Sequence, residues 1–231
     1  MKTTRNKIKA ILSDGGGILF DDSHQKNELY DFVRKNRNLS KKKFMSVWSK
    51  YKIKAQTKEG YDREKAYADT LKKFNIPYKT YVNYLNSQSD IVLNDKTRVE
   101  VKLKPHVNKT ISEMLKNGYN YIVMTDATKH GAELESKLEK MGLENHVDVI
   151  SSKDIGACKP SKKFFDYVLK KYKLKKDEVL FLAHDHDELY GAKKLGYDII
   201  DYNKLKDFSD IMKILPYKSE RKKLPSYNEF V

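Results

Sequence analysis

The 231-residue chain has a single cysteine, Cys158. A lone thiol excludes an internal disulfide and any zinc cluster built on cysteines, and it suits a reducing, cytoplasmic setting. Long apolar runs are missing as well. Charged N-terminal residues lead directly into a short apolar stretch, so neither a signal peptide nor a membrane span is expected. Extended blocks of one charge are also absent. The formal charge is +15, yet there is no arginine-rich block, and the longest basic runs are as short as Lys41-Lys42-Lys43. The lysines are interleaved with Asp and Glu along the whole chain, which reads as solvated faces rather than a nucleic-acid surface. No internal repeat is visible.

What is present is enough to fold. A hydrophobic fraction of 39% with 11% aromatics supports a real core and argues against disorder. The length fits one large domain, or a core with a smaller insert.

The stretch Ile8–Asp21 organises the rest. Ile8, Ala10, Ile11 and Leu12 form a short apolar run that stops at Ser13-Asp14, and three glycines follow before Ile18–Phe20. A short apolar run bounded by glycine reads as a strand buried on both faces. It places a carboxylate, Asp14, at the C-terminal tip of a buried strand, where open α/β sheets bind ligands.

From about Asp22 to Lys96 the pattern is helical. Leu29, Phe32 and Val33 share a face, as do Phe44, Val47, Trp48 and Tyr51; Tyr67, Leu71 and Phe74 follow at helical spacing. Pro77 breaks the run, and Tyr78–Leu85 reads as one more short helix. The expectation is a bundle of roughly four helices inserted after the first strand. From Lys104 helices and strands alternate. Strands are expected at Tyr121–Met124, Val147–Ile150, Val179–Leu182 and Tyr197–Ile200, with helices between them and a short helix near Phe208–Leu215. The segment after the third strand reads as a loop holding Lys159-Pro160. This rhythm predicts an α/β fold: a Rossmann-like parallel sheet with helices on both faces, plus an inserted helical cap. The expected division is 1–21 and 97–231 for the core and 22–96 for the cap.

In a parallel sheet all C-terminal strand ends lie on one edge. Asp14, Thr125, Lys159 and the cluster His184-Asp185-His186-Asp187-Glu188 can therefore converge. A carboxylate nucleophile, a hydroxyl, a lysine and further acids suit nucleophilic displacement at an anionic centre, assisted by a divalent cation.

These four pieces, in this order and with a helical insert after the first, resemble the haloacid dehalogenase-like hydrolase superfamily across nearly the whole chain. Asp14 in Ser-Asp-Gly-Gly-Gly-Ile-Leu stands at the position of that family's nucleophilic aspartate. Thr125, followed by Asp126, stands where a Ser or Thr binds the transferring phosphoryl group. Lys159 in Gly-Ala-Cys-Lys-Pro matches the family lysine, and Phe181–Tyr197 resembles the acidic fourth motif with its helix. The resemblance implies a two-step phosphatase acting on a small phosphorylated substrate through an aspartyl-phosphate on Asp14. It also implies Mg²⁺ held by Asp14, the backbone carbonyl of Gly16 and an acid of the fourth motif. Thr125, Asp126 and Lys159 would hold the substrate's phosphoryl group.

Two departures matter. Gly16 replaces the second aspartate usual in the family's phosphatases, whose loss as general acid and base typically costs ~10²–10⁴ in rate. Ile18 replaces a usual Thr. In the fourth motif His184 falls at the first acidic position and Glu188 at the second. Asp185 is then the expected metal ligand, with Asp187 the alternative, and His184 and His186 are candidate proton carriers. Cys158 reads as a small packed residue. Two other readings follow from the same residues: a metal-free haloacid dehalogenase, which Asp185 and Glu188 resemble in spacing, and a catalytically weak binding protein.

Overall fold

The computed structural model describes residues 7–21, 28–94 and 102–215. Five strands form one sheet: β1 (Ala10–Ser13), β2 (Asn120–Thr125), β3 (Asp148–Ser151), β4 (Val179–Ala183) and β5 (Asp198–Asp201). All neighbouring pairs are parallel and the order is β3-β2-β1-β4-β5. The chain winds outward from β1 in one direction, then returns to the other side of it at β4. That reversal puts the topological switch point between β1 and β4, where open sheets leave a crevice at their carboxyl ends.

Alternate strand residues feed two separate cores. Ile11, Tyr121, Val123, Leu180 and Leu182 pack with Val107, Ile111 and Met114 of α5 (Val107–Lys116) and Leu138 of α6 (Gly131–Lys140). Ala10, Leu12, Ile122, Met124 and Phe181 pack on the other side. Their partners are Phe164, Phe165 and Val168 of α8 (Lys162–Lys171) and Leu189 and Ala192 of α9 (His186–Lys194). A sheet covered on both faces needs apolar residues at every position, which is why β1 shows no alternation of polar and apolar residues.

Between β1 and α5 lie four helices: α1 (Glu28–Arg37), α2 (Lys41–Thr57), α3 (Arg63–Lys73) and α4 (Tyr78–Asn94). They bury a third cluster of Leu29, Phe32, Val33, Phe44, Leu71, Phe74, Ile76 and Tyr81, rich in tilted aromatic pairs such as Phe32–Tyr81 at 5.0 Å. Ser40 and Asp62 cap α2 and α3 with their side chains.

Two elements differ from expectation. The last of the four helices runs to Asn94 rather than ending near Leu85. No proline or glycine follows Pro77 within that stretch to stop it. The segment after β3, expected as a loop, begins with a one-turn helix, α7 (Ser152–Ile155). Its capping box, Ser151 with Asp154, and its left-handed Gly156 set a start and a stop on either side of four helical residues. The expected short helix near Phe208–Leu215 is a 3₁₀ turn at Phe208–Asp210 followed by α10 (Ile211–Ile214). Residues 22–27, 95–96 and 216–231, covered by the expected cap boundary and tail, lie outside the described residues. Among the described residues, no helix is long and apolar enough to cross a membrane.

Candidate active site

Asp14 leaves the end of β1 at the switch point. Its backbone N–H donates to the Leu182 carbonyl of β4 (2.9 Å), extending the ladder by one residue and pinning the carboxylate at the sheet edge. The Gly15 N–H donates to Asp14 Oδ1 at 2.9 Å. The next residues form a tight turn, with Leu19 N–H on the Gly15 carbonyl. Gly17 has φ +73°, and an added Cβ there would stand 2.7 Å from the His184 ring. Only glycine lets this turn pass under the imidazole.

Lys159 is fully buried, and its Nζ donates to Asp14 Oδ1 at 2.6 Å and to Glu188 Oε2 at 2.9 Å. Its backbone N–H donates to Asp126 Oδ1 at 2.9 Å. Lys159 therefore joins the ends of β1, β2 and β4 in one network. Burial opposes the ammonium charge, but Asp14, Glu188 and Asp126 outweigh burial and hold its pKa well above the ordinary lysine range. One ammonium cannot neutralise several buried carboxylates. Burial, with Asp14 and Asp126 adding to it, pushes Glu188 up to about 8 despite Lys159. Burial likewise raises Asp126, against the pull of Lys159 and Arg63.

The acidic cluster after β4 does not act as one unit, because α9 starts within it. Asp185 caps that helix, accepting the Asp187 N–H at 2.8 Å. Helical phase then turns Glu188 inward to Lys159 and leaves His186 and Asp187 exposed. His186 stacks parallel to Tyr190, one turn along the surface. His184 sits on the inner side, with Nδ1 3.5 Å from Asp14 Oδ2, buried and without a hydrogen-bond partner among the described residues. Thr125 closes β2, half-buried and in register with Ser151. Cys158 is buried against the inserted helices, and burial pushes its thiol pKa far up, so it is a packed residue and a poor nucleophile.

The inserted helices reach the site through residues that carried no signal in the sequence. Lys52 of α2 lies 3.4 Å from Asp185 Oδ2 and 3.3 Å from Asp187 Oδ2. Burial disfavours the Lys52 charge, but the two aspartates raise its pKa overall; Lys52 and the Asp187 N–H in turn lower that of Asp185 against the effect of burial. Glu64 of α3 pairs with Lys153 of α7. Arg63, beside Glu64, faces Asp126 electrostatically. The Lys104 ammonium donates to the Gly17 carbonyl, bracing the turn after Asp14.

Among the described residues no three His, Cys, Asp or Glu side chains cluster as a metal cage. The donor set available at this edge is nonetheless the kind a hard cation takes. Lys159 occupies only Oδ1 of Asp14, which leaves Oδ2 without a hydrogen-bonded cation. Asp185 and the Gly16 carbonyl are the further oxygens the sequence offers here, and Asp185 already accepts from the Asp187 N–H and pairs with Lys52. Mg²⁺ commonly uses one or two carboxylates together with substrate phosphate and water.

A buried Asp–Lys pair at the switch point of a five-stranded parallel sheet, with a helical insert after the first strand, defines the class, and sequence comparison agrees. Residues 31–201 match the family of haloacid dehalogenase-like hydrolases, and the chain belongs to it. That match begins beyond Asp14, so the placement of Asp14 rests on the geometry above. Among characterised relatives, a glyceraldehyde 3-phosphate phosphatase from Methanocaldococcus jannaschii is 33% identical over 110 residues. The aligned part is 46% of this chain and 47% of the relative, so the chain spans about half of that protein's length. Similar solved structures come from both branches of chemistry. A HAD phosphatase from Thermococcus onnurineus gives a TM-score of 0.59 at 18% identity, covering 91% of this chain and 99% of that one. The L-2-haloacid dehalogenase from Xanthobacter autotrophicus gives 0.56 at 17%, covering 90% and 82%. At these identities the likeness is one of fold.

Proposed function

We propose that the protein is a Mg²⁺-dependent phosphatase of a small phosphorylated metabolite, with Asp14 as nucleophile. The observation that carries this reading is the contact between Lys159 Nζ and Asp14 Oδ1 at 2.6 Å inside the sheet edge. It aims the carboxylate, and it puts a buried positive charge where an attacked phosphoryl group gathers negative charge. The phosphatase relative at 33% identity supports the choice of phosphorus over carbon.

In this reading an oxygen of Asp14 attacks phosphorus, the ester oxygen leaves, and water then hydrolyses the aspartyl-phosphate. The Thr125 hydroxyl and Lys159 hold the equatorial oxygens, and Asp126 fixes Lys159 through its backbone. Asp14, the Gly16 carbonyl and Asp185 would hold Mg²⁺, which supplies further neutralisation of phosphoryl charge. With Gly16 offering no acid, His184, with Nδ1 3.5 Å from Asp14 Oδ2, is the candidate proton carrier. Residues 22–96 act as a cap domain over a core of 1–21 and 97–231, and the lone buried thiol accords with a cytoplasmic setting.

The test is hydrolysis of p-nitrophenyl phosphate with Mg²⁺ and with EDTA, wild type against Asp14→Asn. Metal-dependent turnover that vanishes in the variant supports the reading. If turnover is absent and beryllium fluoride also fails to bind, the reading is lost. His184 standing over Asp14, where an acid would favour a metal, keeps metal-free attack on carbon as the second reading; halide release in EDTA would identify it.

A further inference from the structure

The interleaving of lysine with acids breaks down in one element. α2 carries Lys41, Lys42, Lys43, Lys50, Lys52 and Lys54 and no Asp or Glu. Lys52 turns to Asp185 and Asp187. Lys50 and Lys54, each two residues from it, emerge on the other side of the helix. There they join Lys72 and Lys73 of α3 in lining a crevice of about 690 Å³, with the buried Tyr51 and with Asn75 completing the walls. The acids of this region are already engaged. Asp69, the one acid in the lining, accepts from the Tyr61 hydroxyl at 2.6 Å and lies 3.6 Å from Lys54 Nζ. Glu59 and Glu64 pair with Lys163 of α8 and Lys153 of α7, and Asp62 caps α3. Arg37 of α1 donates to the carbonyls of Phe74 at 2.8 Å and Asn75 at 2.6 Å, so a cation covers the negative end of α3 as well. Lys50, Lys72 and Lys73 are exposed, and among the described residues no acid pairs with them.

A crevice walled by lysines whose only acid is neutralised from within is complementary to a chain of negative charges. Its lining also says which kind of chain. Tyr51 is buried, so the crevice offers no apolar pocket of the sort that anchors a protein partner. Ammonium groups on both walls are what a phosphate backbone needs, and a cleft between two packed helices admits one strand rather than a duplex. We infer that the crevice between α2 and α3 binds the backbone of single-stranded nucleic acid, without reading its bases. This surface lies on the side of α2 turned away from Asp185, and the inference is independent of the reaction at Asp14.

The experiment follows the fluorescence anisotropy of a short labelled oligouridylate over a range of salt concentrations. Wild type should bind it with an affinity that falls steeply as salt rises. In the triple variant Lys50→Gln, Lys72→Gln, Lys73→Gln the affinity at low salt should fall about 10-fold or more. The salt slope should shrink by about 2, since each lost single-strand phosphate contact removes roughly 0.7. A control triple, Lys109→Gln, Lys116→Gln, Lys140→Gln, removes the same charge from exposed positions on α5 and α6 and should change the affinity by about threefold at most. Competition on the wild-type protein gives a second test that needs no variant: unlabelled duplex RNA and oligoglutamate should each displace the label at least about 10-fold less well than unlabelled oligouridylate. Equal losses in the two triples would mean that charge spread over the whole surface does the binding, and would overturn the crevice. Better displacement by oligoglutamate would assign the crevice to an acidic protein segment, and better displacement by duplex would remove the single-strand reading. An oligouridylate that fails to bind at low salt overturns the inference outright, and none of these outcomes touches the phosphatase reading.

Discussion

Lys159 Nζ stands between Asp14 Oδ1 and Glu188 Oε2, 2.6 Å and 2.9 Å away, with no solvent exposure. The residues come from three separate segments, and among the described residues the ammonium is the only group that hydrogen-bonds both carboxylates. Removing one member of a buried ion pair typically costs about 3–5 kcal/mol, because the partner charge stays buried. Lys159→Met should therefore lose stability of that order in urea unfolding, together with turnover. Adding Glu188→Gln to it should restore part of the stability but not the activity. A single variant within about 1 kcal/mol of wild type would show that the network carries no such load.

Gly191 in α9 faces Pro160, and a Cβ at that position would lie 2.1 Å from the proline ring. The ring is stiff and adjoins Lys159, so it has little room to yield. Gly191→Ala gains helix propensity, yet it should destabilise by about 1–3 kcal/mol through overpacking. Thermal unfolding checks the sign; an increase in Tm would mean that the loop shifts freely.

Lys52 joins α2 to Asp185 and Asp187 across the junction between the inserted helices and the sheet, at partly exposed positions. Such pairs contribute about 0.2–1 kcal/mol and are screened by salt. Lys52→Gln should leave global stability nearly unchanged while raising amide exchange in α2, more so at low salt than at high. Unaltered exchange at low salt would remove the pair as a tether.

Asp154 accepts from His130 Nδ1 at 2.7 Å, Gly131 N–H at 2.9 Å and Ser151 N–H at 3.2 Å, tying the start of α6 to α7. Burial alone would raise its carboxyl pKa, but the bonds from His130, Gly131 and Ser151 lower it overall. A carboxylate with a depressed folded pKa stabilises above its unfolded pKa and loses that contribution as pH falls through the folded one. Asp154→Asn should thus cost stability at pH 7 and converge with wild type in strong acid. Parallel stability curves across that range would contradict the assignment.

The strand tips were legible in the sequence because each apolar run ends abruptly at a polar residue, as at Ser13-Asp14 and Thr125-Asp126. What lay beyond reach was direction. The sequence separates His184, Asp185 and Glu188 by motif position, but only the start of α9 at His186 decides that Glu188 turns inward while Asp187 and His186 face solvent. Lys52 and Arg63 could not be found by pattern, since the aspartates they face are more than sixty residues away and are met only through docking of α2 and α3. The extent of α4 was readable in principle, from the lack of any breaker after Pro77, and Ser151 with Asp154 announced α7 in the same way.

The Cys158 N–H donates to the Ala55 carbonyl at 3.2 Å, so the residue that precedes the catalytic lysine candidate is bonded to the backbone of α2. The loop carrying Lys159 therefore has two backbone anchors, Asp126 just beyond β2 and Ala55 in the insert. Any swing of α2 away from the sheet must either break the outer anchor or drag the loop with it. Access to the crevice and placement of its positive charge are in that sense one mechanical coordinate, read out by a single backbone hydrogen bond.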